Sequence, residues 1–243
     1  MIRAELFCAA GLVLVHLYAR NLPFLERTPR SRWLSAAGGI SIAYVFVDVF
    51  PGLARARDTL AQAWGLLPFA EHHAYLIALG GLLSFYALES IVSGSQRARE
   101  GTDTGRETTT GMGVFWLHMA SFAVYNALVG YLLARGETQT PSALLFYFIA
   151  MAVQFALNDH ALRQDHRETY RRAGRWLLAA AILVGWGIGL ATEVSGAATG
   201  MLTAFLAGGV VMNVMKEEEP GRSGVLPFVA GALGYAALLL ASL

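Results

Sequence analysis

The sequence predicts an all-α integral membrane protein with eight transmembrane helices, built as a single domain over residues 1–243. Of the 243 residues, 56% are hydrophobic and only 14% are charged, whereas soluble domains carry about 25% charged residues. The hydrophobic residues fall into runs of the length that a helix needs to cross a bilayer, about 20 residues. Because backbone groups inside lipid must be hydrogen-bonded within their own segment, these runs are expected to be helices.

The eight predicted spans are joined by short connections. The first run lacks a strongly basic start and a small-residue cleavage site, so we interpret it as a retained helix rather than a removed signal peptide. Residues 95–111 are polar and lack hydrophobic periodicity, which predicts a flexible cytoplasmic loop that most simply acts as a linker. The spans cover residues 3–20, 33–53, 73–94, 112–134, 142–160, 175–192, 197–215 and 224–243.

The basic residues predict the orientation of these spans. They concentrate in the connections after the first, third, fifth and seventh spans, and the positive-inside rule assigns these connections to the cytoplasm. Both termini then lie outside the cytoplasm, and we expect a bacterial inner (plasma) membrane with lipid around the bundle. Of the 18 Lys and Arg residues, only Arg3, Arg55, Arg57 and Arg135 fall on the other side.

Composition also limits the partners. The net charge of +1 gives no indication of nucleic-acid binding. Cys8 is the only cysteine, so the chain forms no intrachain disulfide and no metal site with several thiolates. Glycine-rich helix faces would allow a homodimer.

Two segments of the chain resemble each other. "GGISIAYVFVDVFPG" covers residues 38–52, and "GGVVMNVMKEEEPG" covers residues 208–221. The spacing from Gly39 to Pro51 equals that from Gly208 to Pro220, and the two segments lie in the second and seventh spans, which cross in opposite directions. Inverted repeats are typical of secondary transporters, whose sites lie at the repeat interface. Two unrelated glycine-rich helices explain the pattern equally well.

Polar residues inside the spans are the candidates for a site, because ionisable side chains in a membrane usually face the bundle interior and mark function. Asp48 and Asp159 are the strongest candidates, since a buried carboxylate requires a cation, a proton or strong donors. For His16 and Glu89, interhelical hydrogen bonding is the simpler interpretation. The other candidates are His118, Tyr125, Asn126, Gln154, Asn158 and Asn213.

Three short motifs carry a resemblance to a known family. "DVFPG" in the second span is similar to H-L-L-P-E, "YNALVG" in the fourth to H-N-x-P-E-G, and "NDHALR" in the fifth to H-E-x-P-H-E. In this order and in these spans, the motifs resemble those of the ZIP (zinc- and iron-regulated-transporter-like) metal permeases. The resemblance covers the whole chain. It implies a bundle in which spans 1–3 and 6–8 form an inverted repeat around spans 4 and 5.

The resemblance also implies a metal site between the fourth and fifth spans. Val129, Leu162 and Arg163 replace acids and a histidine of the family, which leaves an oxygen-rich set suited to one ion with several waters. Zinc is the expected cation, with iron or manganese as alternatives. The implied ligands are Asn126, Asn158 and Asp159, with Tyr125 beside them and with His118 and Asp48 added if they face the same cavity.

We expect Asn126 to face the fifth span and to pair with Asn158 or Asp159, while Gly130 lets the two helices approach closely. The expected function is a divalent metal permease that is not an enzyme and uses no cofactor. A transport-inactive ZIP-like protein that acts as a sensor or interaction partner is the alternative, favoured by the missing acids. An intramembrane zinc hydrolase would need three ligands, and the intramembrane histidines lie in different spans at unequal depths. They are His16, His118 and His160.

Overall fold

The computed structural model describes residues 2–18, 32–64, 70–100, 109–135, 140–165, 169–217 and 225–241. Within these residues the regular structure is entirely helical, which confirms the all-α prediction for the described part of the chain. The α-helices are α1 (Ile2–Tyr18), α2 (Arg32–Tyr44), α3 (Phe50–Trp64), α4 (Ala70–Glu100), α5 (Thr109–Ala134), α6 (Pro141–Asp165), α7 (Arg175–Ala191), α8 (Gly196–Glu217) and α9 (Val225–Ala241).

Six helical segments are long and apolar enough to cross a membrane. Two shorter apolar helices, Ala4–Tyr18 and Val225–Ala241, lie at the two ends of the described chain. The fold of the described residues is therefore compatible with an integral membrane protein. The six segments are Arg32–Gln62, His72–Val92, Phe115–Ala134, Pro141–His160, Tyr170–Ala191 and Gly196–Met215.

Proline explains an irregularity in the second predicted span. A π-helical turn at Val45–Val49 joins α2 to α3, and the Phe50 N–H bonds to the carbonyl of Val45, five residues earlier. Pro51 has no N–H and its ring would clash with the carbonyl four residues back, so a wider turn accommodates it. The helix continues to Trp64 rather than ending near residue 53, as the span prediction had it.

Both ends of the segment 95–111, predicted as a loop, belong to helices. Helix α4 runs on to Glu100 and α5 begins at Thr109, so both ends of that segment are helical. The sequence "SQRARE" consists mainly of good helix formers, which explains why the helix outlasts its apolar run. Residues 101–108 lie outside the described residues.

Local capping fixes the starts of two helices. Pro141 occupies the first position of α6, where its missing N–H is not needed. Before it, the Thr140 hydroxyl accepts a hydrogen bond from the N–H of Ala143 at 3.2 Å. Ser195 caps α8 in the same way, through the N–H of Ala198 at 3.2 Å.

Glycines bring α2 and α9 into backbone contact. A Cβ atom placed on Gly39 would lie 2.0 Å from the carbonyl oxygen of Phe228. One placed on Gly231 would lie 2.2 Å from the carbonyl oxygen of Ala36. Only glycine permits such an approach, because any side chain would push the two helices apart.

The same arrangement joins α4 and α8. A Cβ atom on Gly208 would lie 1.9 Å from the carbonyl oxygen of Ala78. One on Gly81 would lie 2.2 Å from the carbonyl oxygen of Phe205. The two helix pairs therefore use two glycines each, one from either helix.

A third close contact joins α5 and α7. A Cβ atom on Gly130 would lie 2.2 Å from the carbonyl oxygen of Ile182, and one on Gly185 would lie 1.9 Å from that of Ala127. Gly130 thus allows a close approach, but to α7 rather than to the fifth-span helix α6, and that part of the prediction is wrong. Helices α1, α5, α6 and α7 enclose the buried polar residues described next.

Candidate functional site

A buried histidine links two polar residues that the sequence places far apart. His16 lies near the end of α1 and is 3% exposed. Its Nδ1 is 2.8 Å from Oδ1 of Asp159 on α6, and its Nε2 is 2.8 Å from Oδ1 of Asn126 on α5. The imidazole also stacks on the ring of Phe155, with centroids 4.7 Å apart. One side chain therefore connects three helices at a single point.

The orientation of the Asn126 amide is fixed by its own helix. Its Nδ2 donates to the carbonyl of Phe122 at 2.7 Å, so its Oδ1 faces His16. A reversed amide would oppose two carbonyl oxygens at this distance, which is unfavourable. Asn126 therefore offers His16 an acceptor.

Asp159 is completely buried and is held by a tyrosine as well as by the histidine. The Tyr170 hydroxyl, from the π-helical turn Tyr170–Gly174, donates to the same Oδ1 that faces His16. The other oxygen, Oδ2, is buried and has no hydrogen-bond partner among the described residues. Arg163 approaches from one turn further along α6, where its Nε donates to the backbone carbonyl of Asp159 at 3.3 Å.

A stripe of buried polar atoms runs along α6 on the N-terminal side of Asp159. Gln154 is 1% exposed, and neither atom of its amide has a hydrogen-bond partner among the described residues. Asn158, one turn further on and 4% exposed, has an unpartnered Nδ2. Because buried polar groups are nearly always hydrogen-bonded, these atoms are the candidates on α6 for contact with a further polar group. Across the bundle, the Tyr125 hydroxyl lies beside the amide of Asn213 on α8.

A cavity of about 450 Å³ opens at the opposite end of the bundle. It is bounded by the π-helical turn and the start of α3, the end of α5, the start of α6 and the part of α8 from Gly196 to Val210. Asp48 and Arg55 line it together, and so does Tyr147 on α6. Tyr147 and Asp159 are separated by 12 residues of one helix, which is about 18 Å along its axis. The cavity and the His16 cluster are thus at different depths.

His118 belongs to a third place in the bundle. Its Nε2 is 3.5 Å from Oε2 of Glu89 on α4, and its ring lies against Phe122. A small gap beside it is bordered by Ser121 and Asn213. His118 and Glu89 form a separate ion pair when the histidine is protonated.

The sequence-predicted site residues are therefore spread over the bundle. Asn126 and Asp159 belong to one cluster, but through His16 rather than by the direct pairing that we expected. Asn158 borders that cluster on α6, whereas Tyr125 faces Asn213. Asp48 lines the cavity and His118 pairs with Glu89, so neither is shown beside Asp159.

The sequence analysis named one residue of this cluster without its partners and missed another. For His16 it favours interhelical hydrogen bonding, which the structure shows, but it does not identify the partner Asp159, which is 143 positions away. Tyr170 lies in what the sequence presents as a connection between spans. The sequence signal for His16 was the presence of a titratable group within an apolar run. No such signal pointed to Tyr170.

The donor set decides what this cluster can bind. It combines one imidazole, one carboxylate, a phenol and amide oxygens, a mixed set suited to zinc or another first-row divalent cation with water completing the shell. Among the described residues, no group of three or more His, Cys, Asp and Glu side chains is placed to hold a metal ion. In particular, His16, His118 and His160 do not form the three-ligand site of a zinc hydrolase.

Comparison with protein-family models finds no match for this chain, and neither does comparison with curated proteins.

Proposed function

We propose that this chain is a ZIP-like divalent metal cation permease, with zinc as the expected ion and iron or manganese as alternatives. The proposal includes eight spans in a bacterial inner membrane with both termini outside the cytoplasm. Its reduced site lies between α5 and α6, the fourth and fifth spans, and is completed by His16 from α1.

The stripe of buried polar atoms on α6 carries the proposal. Tyr147 at the cavity, Gln154 and Asn158 are spaced seven and four residues apart, which places them on one helical face that leads toward the cluster. Isolated polar groups inside a membrane bundle are expensive unless they serve a pathway or pair with each other. This face offers amide groups between the cavity and Asp159, the kind of ligand that a partly hydrated cation uses.

The glycine contacts support an inverted repeat. The interface of α2 and α9 uses residues 36, 39, 228 and 231, and that of α4 and α8 uses residues 205, 208, 78 and 81. Residues 36 and 39 correspond to residues 205 and 208 with one constant difference in number, and residues 228 and 231 correspond to residues 78 and 81 with another. Each contact in one interface therefore has a counterpart in the other. In these pairs α2 corresponds to α8 and α4 corresponds to α9, as expected if spans 6–8 repeat spans 1–3. Secondary transporters with such repeats work by alternating access.

One observation favours the alternative of a transport-inactive sensor or interaction partner. Both ring nitrogens of His16 and one oxygen of Asp159 already have partners within the protein. A metal ion that takes His16 as a ligand must replace one of these contacts, and a site without a second carboxylate holds it weakly.

Uptake into proteoliposomes separates the two functions. Vesicles that contain the purified protein are expected to accumulate Zn²⁺, Mn²⁺ or Fe²⁺ in a saturable manner, and Asp159→Ala or Asn126→Ala should each reduce uptake at least tenfold, about 1.4 kcal/mol or more. Asp58→Ala is the matched control, because this carboxylate is exposed and its ion pair within the described residues is with the neighbouring Arg57. Wild-type flux equal to that of empty vesicles for every ion would exclude a permease and leave the sensor.

A further inference from the structure

The cavity at the end of the bundle opposite the His16 cluster carries positive charge on its wall. Arg55 on α3 and Arg135, just beyond the end of α5, both line it, and Asp48 is the acidic residue among the described lining residues. Two cations and one carboxylate leave one positive charge uncompensated within this described lining. A concave site whose charge has one sign attracts a ligand of the opposite sign.

The protein positions both guanidinium groups. Nη1 of Arg135 donates to the carbonyl of Thr192, directly after α7, at 2.9 Å. This bond uses one of the five N–H groups of the planar guanidinium, so the group keeps donors for a ligand. Arg55 lies close enough to Asp48 for their charges to interact, and Asp48 also accepts a hydrogen bond from the Tyr44 hydroxyl. The carboxylate therefore has donors within the protein and holds Arg55 at the cavity.

Two helices begin at the same cavity. Ala143 in the first turn of α6 lines it, and so do Gly196 and Thr199 at the start of α8. The N-terminal end of a helix carries a partial positive charge that favours an anion. Neither helix has an acidic residue in its first turn. The two helix ends therefore add to the positive potential of the two arginines.

The remaining wall of the cavity is largely apolar. Leu132 and Leu133 on α5 and Leu206 and Val210 on α8 line it. Its volume of about 450 Å³ lies within the range of small-molecule sites, about 300–1,000 Å³. A single inorganic ion would leave most of this space unfilled, since one water molecule takes up about 30 Å³. The matching ligand has one anionic group and an apolar body.

We propose that this cavity binds a small organic carboxylate, with its carboxylate group on Arg55 and Arg135 and its hydrocarbon part against the apolar wall. Guanidinium groups bind carboxylates through paired, charge-assisted hydrogen bonds. A monoanion matches the one uncompensated positive charge, whereas a dianionic phosphate ester exceeds it. The inference goes beyond the proposed function and does not depend on it, because no metal ion takes part in the binding.

Equilibrium dialysis tests the site directly. The purified full-length protein in detergent is dialysed against radiolabelled octanoate, and protein-free micelles of the same detergent correct for partitioning. We expect saturable binding of one octanoate per chain. Hexanoate should bind about fifteenfold more weakly, because each buried CH₂ group contributes about fourfold in affinity. Octanamide, which has the same chain without the charge, should bind at least tenfold more weakly than octanoate. Absence of saturable binding, or octanamide binding as tight as that of octanoate, would overturn the proposal.

Variants locate the carboxylate group. Arg55→Gln and Arg135→Gln should each weaken octanoate binding at least tenfold, since each removes hydrogen bonds to a charged group. Arg57→Gln is the matched control, because it removes the same charge two residues further along α3, where Arg57 pairs with Asp58 and does not line the cavity. Its affinity should stay within twofold of the wild type. Thermal unfolding without octanoate separates loss of binding from loss of fold. Equal affinity in all three variants would place the ligand elsewhere and contradict the proposal.

Chain length distinguishes two sources of such a ligand. A soluble carboxylate binds best at a length that the cavity encloses, so palmitate should then compete no better than octanoate. A fatty acid from the membrane should compete better as its chain lengthens. Either order supports a carboxylate site and identifies its source. Inorganic phosphate that displaces octanoate at a lower concentration than hexanoate does would show that the cavity prefers an inorganic anion, and the organic carboxylate would be refuted.

Discussion

The buried cluster is built around the carboxylate of Asp159. It is fully buried, and one of its oxygens serves both an imidazole and a phenol. A carboxylate inside a membrane protein persists only with such donors, because the desolvation of an unpaired charge costs several kcal/mol. The donors come from α1 and from the turn before α7. The site therefore exists only when four helices are assembled around it.

Replacement of Tyr170 by phenylalanine tests this dependence at the level of one oxygen atom. Tyr170→Phe removes a donor to Asp159 and nothing else, and hydrogen bonds to charged groups contribute about 1.5–3 kcal/mol. We expect the free energy of unfolding in detergent to fall by about that amount.

The control removes the same atom elsewhere. Tyr86 is 56% exposed on the outside of α4, so Tyr86→Phe should change the free energy of unfolding by less than about 0.5 kcal/mol. Equal effects of the two substitutions would show that the bond from Tyr170 to Asp159 contributes nothing to stability.

At the scale of helices, paired glycines decide which elements can touch. Lipid offers no hydrophobic drive for helix association, so close van der Waals packing and hydrogen bonds hold a bundle together. The contacts of α2 with α9, α4 with α8 and α5 with α7 all depend on glycine. The polar residues meet in the space that remains between these tight pairs.

Neighbouring glycines on α4 provide a matched pair of substitutions. At Gly81 a Cβ atom would lie 2.2 Å from the backbone oxygen of Phe205, whereas at Gly80 nothing lies within 4 Å. Gly81→Ala should lower the free energy of unfolding by about 1–3 kcal/mol through overpacking. Gly80→Ala should be neutral or stabilising by up to about 1 kcal/mol, since alanine favours the helix.

Thermal unfolding of the two glycine variants in the same detergent measures the difference. If Gly81→Ala were as stable as Gly80→Ala, the close packing of α4 against α8 would be refuted. The corresponding support for an inverted repeat would then be lost too.

For the whole molecule, the distribution of charge predicts which end faces the cytoplasm. The cavity that contains Asp48 opens at the end of the bundle where α3 and the start of α8 lie, and this end carries few basic residues. Arg163 and Arg175, which lie beside the His16 cluster, are at the other end. An orientation with the cavity outside therefore follows from the positive-inside rule.

Cysteine labelling checks this orientation. In a Cys8→Ala background, which removes the only cysteine, a maleimide that cannot cross membranes should modify Asp58→Cys in intact cells. It should modify Arg172→Cys only after permeabilisation, because both positions are exposed but lie at opposite ends of the bundle. The reverse pattern of labelling would contradict the predicted topology.

The sequence predicted helix positions well and side-chain partners poorly. Apolar runs determine a membrane helix locally, so α4 to α9 all begin near the residues that hydropathy indicates. Ends are less certain, as the continuation of α3 past Pro51 and of α4 to Glu100 demonstrates, because helix-forming polar residues extend a helix beyond the lipid. Gly130 was recognised as a contact residue, but its partner helix was not.

The sequence by itself determined the all-helical class, the helices that are apolar enough to span a membrane, and Asp159 as a buried carboxylate that needs a partner. Only the tertiary structure decided that this partner is His16, that Tyr170 completes the cluster, and that Asp48 and His118 lie elsewhere in the bundle. The reason is physical. Burial and helix formation depend on residues within a few turns, whereas a hydrogen bond between α1 and α6 depends on how all the helices between them pack.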